Sequence, residues 1–164
     1  MAGSPTETTH FSAYAGPDLA PLVCSPAVGE AICPLRPAKF LPRVLVVDDE
    51  GRLRWSLAET LVDAGYQVVQ AANGCDARAA MANEQHLIDA MLVDLKLPDT
   101  DGLQLVREAR RRCLTCPIIV MTAYASDDTL ESAIAAGAQG VVAKPFDLDD
   151  MLRLVRQLCP SMPH

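Results

Sequence analysis

The stretch "RVLVVDDE", Arg43 to Glu50, decides how the rest of the chain is read. Val44 to Val47 form a continuous apolar run of strand length, with no polar residue alternating through it. Such a run is expected to be buried on both faces, as strands of parallel sheets are. It then passes directly into Asp48, Asp49 and Glu50. Adjacent carboxylates at the mouth of a buried strand repel, by roughly 4 kcal/mol per pair at 4 Å and an effective dielectric near 20. They therefore need protons, cationic side chains or a metal beside them.

Similar short runs recur down the chain at 67–71, 90–93, 118–121 and 140–143. Helical spacing fills the gaps between them. Leu53, Leu57, Leu61 and Val62 form the first stripe, bounded by Gly65. Two Ala-rich segments, near 77–87 and 127–136, supply the second and fourth helices. Leu103 and Val106, opened by Gly102, mark the third. Met151, Leu154, Val155 and Leu158 mark the fifth, opened by Asp147, Asp149 and Asp150, acids that suit a helix N-terminus. Five strands alternating with five helices predict an α/β fold, an open parallel sheet with right-handed crossovers and helices on both faces. Residues 1–41 are proline-rich and lack an amphipathic period, and read as a flexible N-terminal extension. The ordered domain is expected over 42–160, with 161–164 a short tail.

Composition narrows the function. The chain has 164 residues, half of them apolar, which suffices for one ordinary domain. A net charge of −7 argues against direct nucleic-acid binding, which needs clustered Lys and Arg on phosphates. The basic run Arg110–Arg112 reads as the solvated end of a helix. No apolar stretch approaches the length of a membrane span, and no positively charged leader precedes one, so a cytoplasmic protein is expected. The six cysteines include one CxxC, Cys113 to Cys116, without the second pair or the histidines a zinc site would use. We read it as incidental.

In open α/β sheets, ligands bind beyond the carboxyl ends of the strands, where the strand order reverses. Those ends carry Asp48 and Asp49 after strand 1, Asp94 after strand 3, Thr122 after strand 4 and Lys144 after strand 5. Strand 2 runs into Ala71, Ala72, Asn73 and Gly74, with no such chemistry. In a 2-1-3-4-5 order the four polar ends converge and strand 2 lies at the edge. An oxygen-only donor set selects a hard divalent cation, Mg²⁺ before Ca²⁺. A carboxylate beside it can take a phosphoryl group, with an ammonium and a hydroxyl to meet the transferring charge. The blander alternatives are an N-cap pair at Asp48 and Asp49, a surface Lys144 and loop-shaping roles for Asp99 and Asp101.

Together "VLVVDDE", "MLVDLKLPDTDG", "VMTAYAS" and "AKPFDLDD" resemble the receiver domain of two-component response regulators, the CheY-like (flavodoxin-like) fold, over about residues 42–159. The details are most similar to NtrC- and FixJ-type receivers. The resemblance implies that Asp94 accepts a phosphoryl group from a sensor histidine kinase or phosphotransfer protein. It implies Mg²⁺ held by Asp48, Asp49, Asp94 and the backbone carbonyl of Lys96, with Lys144 and Thr122 on the phosphoryl group. A cis bond before Pro145 is implied too. Such a protein catalyses only its own phosphorylation and dephosphorylation, and works as a monomer or a phosphorylation-dependent dimer. Its downstream partner would bind through helix 4, strand 5 and helix 5. Val141 departs from the family pattern: an aromatic switch residue usually stands three residues before the lysine. An unphosphorylated interaction module (a pseudo-receiver) therefore stays open beside the leading reading. A phosphohydrolase is less favoured, because its usual DxD motif is missing after strand 1. The end at His164 suggests a single-domain regulator without a DNA-binding output. Trp55, off the apolar stripe of helix 1, is expected to be exposed or to meet a partner.

Overall fold

A computed structural model describes residues 41–83, 88–112 and 115–160. The first expectation met is the sheet. Strands β1 (Arg43–Val47), β2 (Gln67–Ala71), β3 (Ala90–Asp94), β4 (Ile118–Thr122) and β5 (Gly140–Ala143) pair in parallel in the order β2-β1-β3-β4-β5. Helices α1 (Gly51–Asp63), α2 (Gly74–Asn83), α3 (Gly102–Arg111), α4 (Asp127–Ala136) and α5 (Leu148–Leu158) alternate with them. β3 and β4 each run one residue further than the apolar count suggested, so Asp94 and Thr122 are still in the ladder. Leu95 extends it by donating its N–H to the Met121 carbonyl at 2.9 Å.

The two faces of the sheet bury separate clusters, as period-2 side chains must. Val44, Val46, Leu92, Ile119 and Met121 point to the face covered by Leu57 and Leu61 of α1 and by Met151 and Val155 of α5. Leu45, Val47, Met91, Val93 and Val120 point to the other, under Ala77 and Met81 of α2, Leu105, Val106 and Ala109 of α3, and Ala133 and Ala136 of α4. Filling both faces with Val, Leu, Ile, Met and Ala explains how a chain with few aromatics still packs a core. Tyr66, 2 % exposed, is the largest of the fully buried side chains, and its hydroxyl donates to the Cys159 carbonyl at 2.7 Å. That bond ties the α1–β2 turn to the end of α5.

Helix boundaries follow local chemistry. Ser126 caps α4 by accepting from the Thr129 N–H, and Gly137, at φ 106°, ends the same helix in the left-handed region. Asp101 caps α3 through Leu103 N–H, and Asp147 caps α5 through Asp149 N–H. Glu50 stands at the N-cap of α1 without a side-chain bond, so neither Asp48 nor Asp49 is spent on that cap. Two stripe assignments need correction. Val62 is 53 % exposed, because the buried face of α1 runs through Leu57, Ala58 and Leu61. In α3 the fully buried leucine is Leu105, with Leu103 only partly covered.

Arg110 also differs from its reading as part of a solvated helix end. Its guanidinium donates to the carbonyls of Gly137 (2.9 and 2.8 Å) and Cys116 (2.8 Å) and to Gln139 Oε1 (2.8 Å). The side chain thus bolts α3 to the α4–β5 turn at the amino end of the strands, and burial lowers its pKa. Arg111 and Arg112 are exposed. Of the CxxC, Cys113 lies outside the described residues. Cys116 is buried, and that burial pushes its thiol up to about 11, the opposite of what a reactive redox thiol needs. The extension and tail expected over 1–41 and 161–164 likewise lie outside the described residues, except Leu41. Among the described residues no helix is long and apolar enough to cross a membrane.

Candidate functional site

Register brings the polar strand ends together. Val47 pairs with Val93, so the next residues, Asp48 and Asp94, emerge side by side at the carboxyl edge. Thr122 pairs with Ala143, so Lys144 follows β5 beside them. β2 is the outer neighbour of β1, which leaves its chemically bare end off the cluster. Asp48 and Asp94 are buried, whereas Asp49 is exposed, and the carboxylates of all three can place oxygens within 4.8 Å of one another.

Lys144 supplies the positive charge that this crowding demands. Its Nζ lies 2.7 Å from Asp48 Oδ2 and 2.9 Å from Asp94 Oδ2. The second Asp48 oxygen accepts the Glu50 N–H at 2.8 Å, and Lys96 N–H donates to Asp94 Oδ1 at 3.3 Å. Burial still holds the Asp48 carboxyl above its usual range, although Lys144 and the Glu50 amide pull it down. Burial works against the Lys144 ammonium as well, but its bonds to Asp48 and Asp94 more than offset this and raise its pKa. A cis peptide joins Lys144 to Pro145, as the resemblance implied.

Thr122 lies close by with its hydroxyl turned onto the backbone two residues ahead. Its Oγ1 accepts from Tyr124 N–H at 3.1 Å and donates to the Tyr124 carbonyl at 3.2 Å. Tyr124 is 75 % exposed, and Lys96 Nζ sits 5.7 Å from the centre of its ring. Val141 is half-buried against the core of the α2–α3–α4 face. Trp55, 61 % exposed, looks outward from α1.

Several participants were not legible in advance. Arg54 donates from α1 to the Asp48 carbonyl at 2.6 Å and fixes the first turn after β1. Gly102 allows the β3–α3 loop to close, its N–H donating to the Leu95 carbonyl at 2.8 Å. A Cβ on Gly102 would fall inside contact distance of the Asp94 carbonyl oxygen and Leu95 Cα. Since both neighbours are backbone, Gly102→Ala should cost about 1–3 kcal/mol of stability in urea denaturation. A loss within a few tenths of a kcal/mol would mean that the loop relaxes freely.

The donor set is all oxygen, two of its three carboxylates are buried, and the cation now between them is a single flexible ammonium. These features fit a hard divalent cation, with Asp48, Asp49, Asp94 and the Lys96 carbonyl as the residues that would hold it. Comparison with known proteins bears on the whole arrangement. Residues 44–156 match the response regulator receiver domain. The chain belongs to that family.

Relatives of this receiver include the DNA-binding transcriptional regulator NtrC of Salmonella typhimurium, 37 % identical over 114 residues, which make up 70 % of this chain and 24 % of that protein. The virulence transcriptional regulatory protein PhoP of Shigella flexneri is 39 % identical over 116 residues, 71 % of this chain and 51 % of that one. The receiver thus spans about a quarter and about half of these two relatives. The sporulation initiation phosphotransferase F of Bacillus subtilis is 34 % identical over 118 residues, 72 % of this chain and 94 % of that protein. Among solved structures, a CheY-like receiver domain protein from Methanospirillum hungatei superposes with a TM-score of 0.67 at 30 % identity, covering 72 % of this chain and 93 % of that one. Receivers of this family interact with histidine kinases or phosphotransfer proteins.

Proposed function

We propose that this receiver is a phosphorylation-controlled switch of a two-component pathway, with Asp94 the acceptor. The observation that carries the reading is the Lys144 ammonium held between Asp48 and Asp94 at the carboxyl edge of the sheet. An Asp94 carboxylate oxygen attacks the phosphorus of a phosphohistidine on the kinase or phosphotransfer protein. The new O–P bond forms as the N–P bond breaks, and the imidazole leaves with the electron pair. Bound Mg²⁺ would neutralise charge on the transferring group. Lys144 then moves its hydrogen bonds from the carboxylates to the phosphoryl oxygens. Thr122 gives up the Tyr124 backbone to donate to the same group.

The protein is not an enzyme acting on a separate substrate; it catalyses the gain and loss of its own phosphoryl group. It works in the cytoplasm, as a monomer or a dimer formed on phosphorylation. Its output partner meets the face of α4, β5 and α5, where Ile134 is 54 % exposed. A second reading, an unphosphorylated interaction module, is favoured by one observation: Val141 has no ring to swing between buried and exposed positions.

Acetyl phosphate separates the two. With Mg²⁺ present, intact mass spectrometry should find one phosphoryl adduct per chain, absent without metal and absent in Asp94→Asn. An unmodified wild type under these conditions would leave the interaction module as the surviving reading. Fast turnover of phosphorylated metabolites would instead point to a phosphohydrolase.

A further inference from the structure

The β3–α3 loop, residues 95–101, carries the Lys96 carbonyl, and its neck is closed by the bond from Gly102 N–H to the Leu95 carbonyl. A bridge between Lys96 and Asp101 narrows it further. The tip of the loop is fastened elsewhere. Asp99 reaches across to α2 and accepts the N–H groups of Gly74 (2.7 Å) and Cys75 (2.8 Å), one with each carboxylate oxygen. These bonds, Gly74 first, hold its carboxyl below the usual range even though the residue is exposed.

The fit at this junction is close. A Cβ on Gly74 would run into Thr100 Cγ2 and crowd Asp99 Oδ1. Arg78, one turn along α2, donates to Thr100 Oγ1 at 3.1 Å and to Glu108 of α3 at 2.7 and 3.2 Å. The loop tip is thus braced against α2, which Arg78 in turn ties to α3. Asn73 already caps α2 by accepting the Asp76 N–H at 2.8 Å, so both oxygens of Asp99, from a different loop, come in addition to the ordinary cap.

We propose that Asp99 is a positioning residue for the metal site: its double bond to the start of α2 holds the loop that presents the Lys96 carbonyl. The idea rests on the reading of Asp48, Asp49, Asp94 and Lys96 as metal ligands. Asp99 touches neither metal nor phosphoryl group. It removes the freedom of a loop that would otherwise have to be ordered each time a cation binds.

Isothermal titration of Mg²⁺ into the purified full chain tests this. Asp99→Ala should weaken binding about tenfold, the lower end of the range for residues supporting a ligand indirectly. It should also speed amide hydrogen exchange at Lys96 and Leu97 in the metal-free protein. Ala79→Gly, at an exposed site in the middle of α2, supplies the control: it destabilises the helix without touching the loop and should leave the affinity unchanged. Wild-type affinity in Asp99→Ala, or an equal loss in Ala79→Gly, would overturn the proposal while leaving the metal site standing. A wild type that binds no Mg²⁺ would overturn both.

Discussion

Lys144→Met should slow phosphoryl transfer to Asp94 by about 10²–10³ while tightening, rather than weakening, the binding of a divalent cation. The rate loss is the size expected when one preorganised charged donor is removed from a transferring group. The gain in metal affinity comes from the ground state. At 2.7 and 2.9 Å the ammonium occupies one oxygen each of Asp48 and Asp94, and it repels any second cation brought to them. Methionine keeps much of the stem length, so the β5 backbone and its Lys144 N–H to Thr122 carbonyl bond stay in place. The metal-free variant should also be less stable by about 3 kcal/mol, because one member of a buried ion pair has been left alone. Asp48, with no exposed side-chain surface, would then titrate higher still. Rates come from rapid mixing with acetyl phosphate at saturating Mg²⁺, and affinities from calorimetry at slightly alkaline pH. A parallel fall in rate and affinity would mean that Lys144 organises the acids and does not meet the phosphoryl group.

How much of this was readable in advance depended on whether the cause lay in neighbouring residues. Uninterrupted apolar runs marked β1, β3 and β4, because burial on both faces leaves no room for polar alternation. The edge strands β2, with Gln67 and Gln70, and β5 are only partly buried. The strand ends named Asp48, Asp94, Thr122 and Lys144 together, since parallel pairing brings every carboxyl end to one edge. The start of α2 at Gly74 was missed although its cap is local: Asn73 Oδ1 accepts the Asp76 N–H at 2.8 Å, and only the added acceptor, Asp99, stands 25 residues away in another loop. Arg110 was misread because the carbonyl it grips with two nitrogens, Gly137, lies 27 residues away in the α4–β5 turn, and sequence shows only three consecutive arginines. In α3 the buried Gly102, Leu105, Val106 and Ala109 fall at i, i+3, i+4 and i+7, a stripe the sequence carries, and Leu103 was misplaced because it borders that stripe. Val62 stayed outside because α1 has its buried row filled by Leu57, Ala58 and Leu61. Strand ends follow from topology.

Mg²⁺ should stabilise the fold, and its effect should run against the pH dependence of the metal-free protein. At a hundred times its dissociation constant, a ligand specific to the folded state adds about 2.7 kcal/mol. For a domain of this size that is roughly 5–10 °C in Tm. Without metal, burial raises the Asp48 pKa in the folded state above its ordinary 3.8, so the fold binds that proton more tightly than the unfolded chain does. The Asp48 contribution therefore falls as pH rises from 3.8 through the raised folded value, then levels off. Lys144 does not reverse this in the acid range. Its pKa is raised from 10.5, so its contribution is full below that value and is lost only as pH climbs through the folded pKa. A cation needs the carboxylates ionised, so the Mg²⁺ increment grows with pH across the window in which the Asp48 contribution shrinks. Thermal melts with and without Mg²⁺, taken in wild type and Asp48→Asn, isolate that group because contributions common to the curves cancel. Asp49→Ala gives the sharper test. Asp49 is exposed, so its loss should barely change the metal-free Tm yet remove most of the Mg²⁺ increment. Should that variant keep the full increment, the ion binds somewhere other than the three acids at the strand ends.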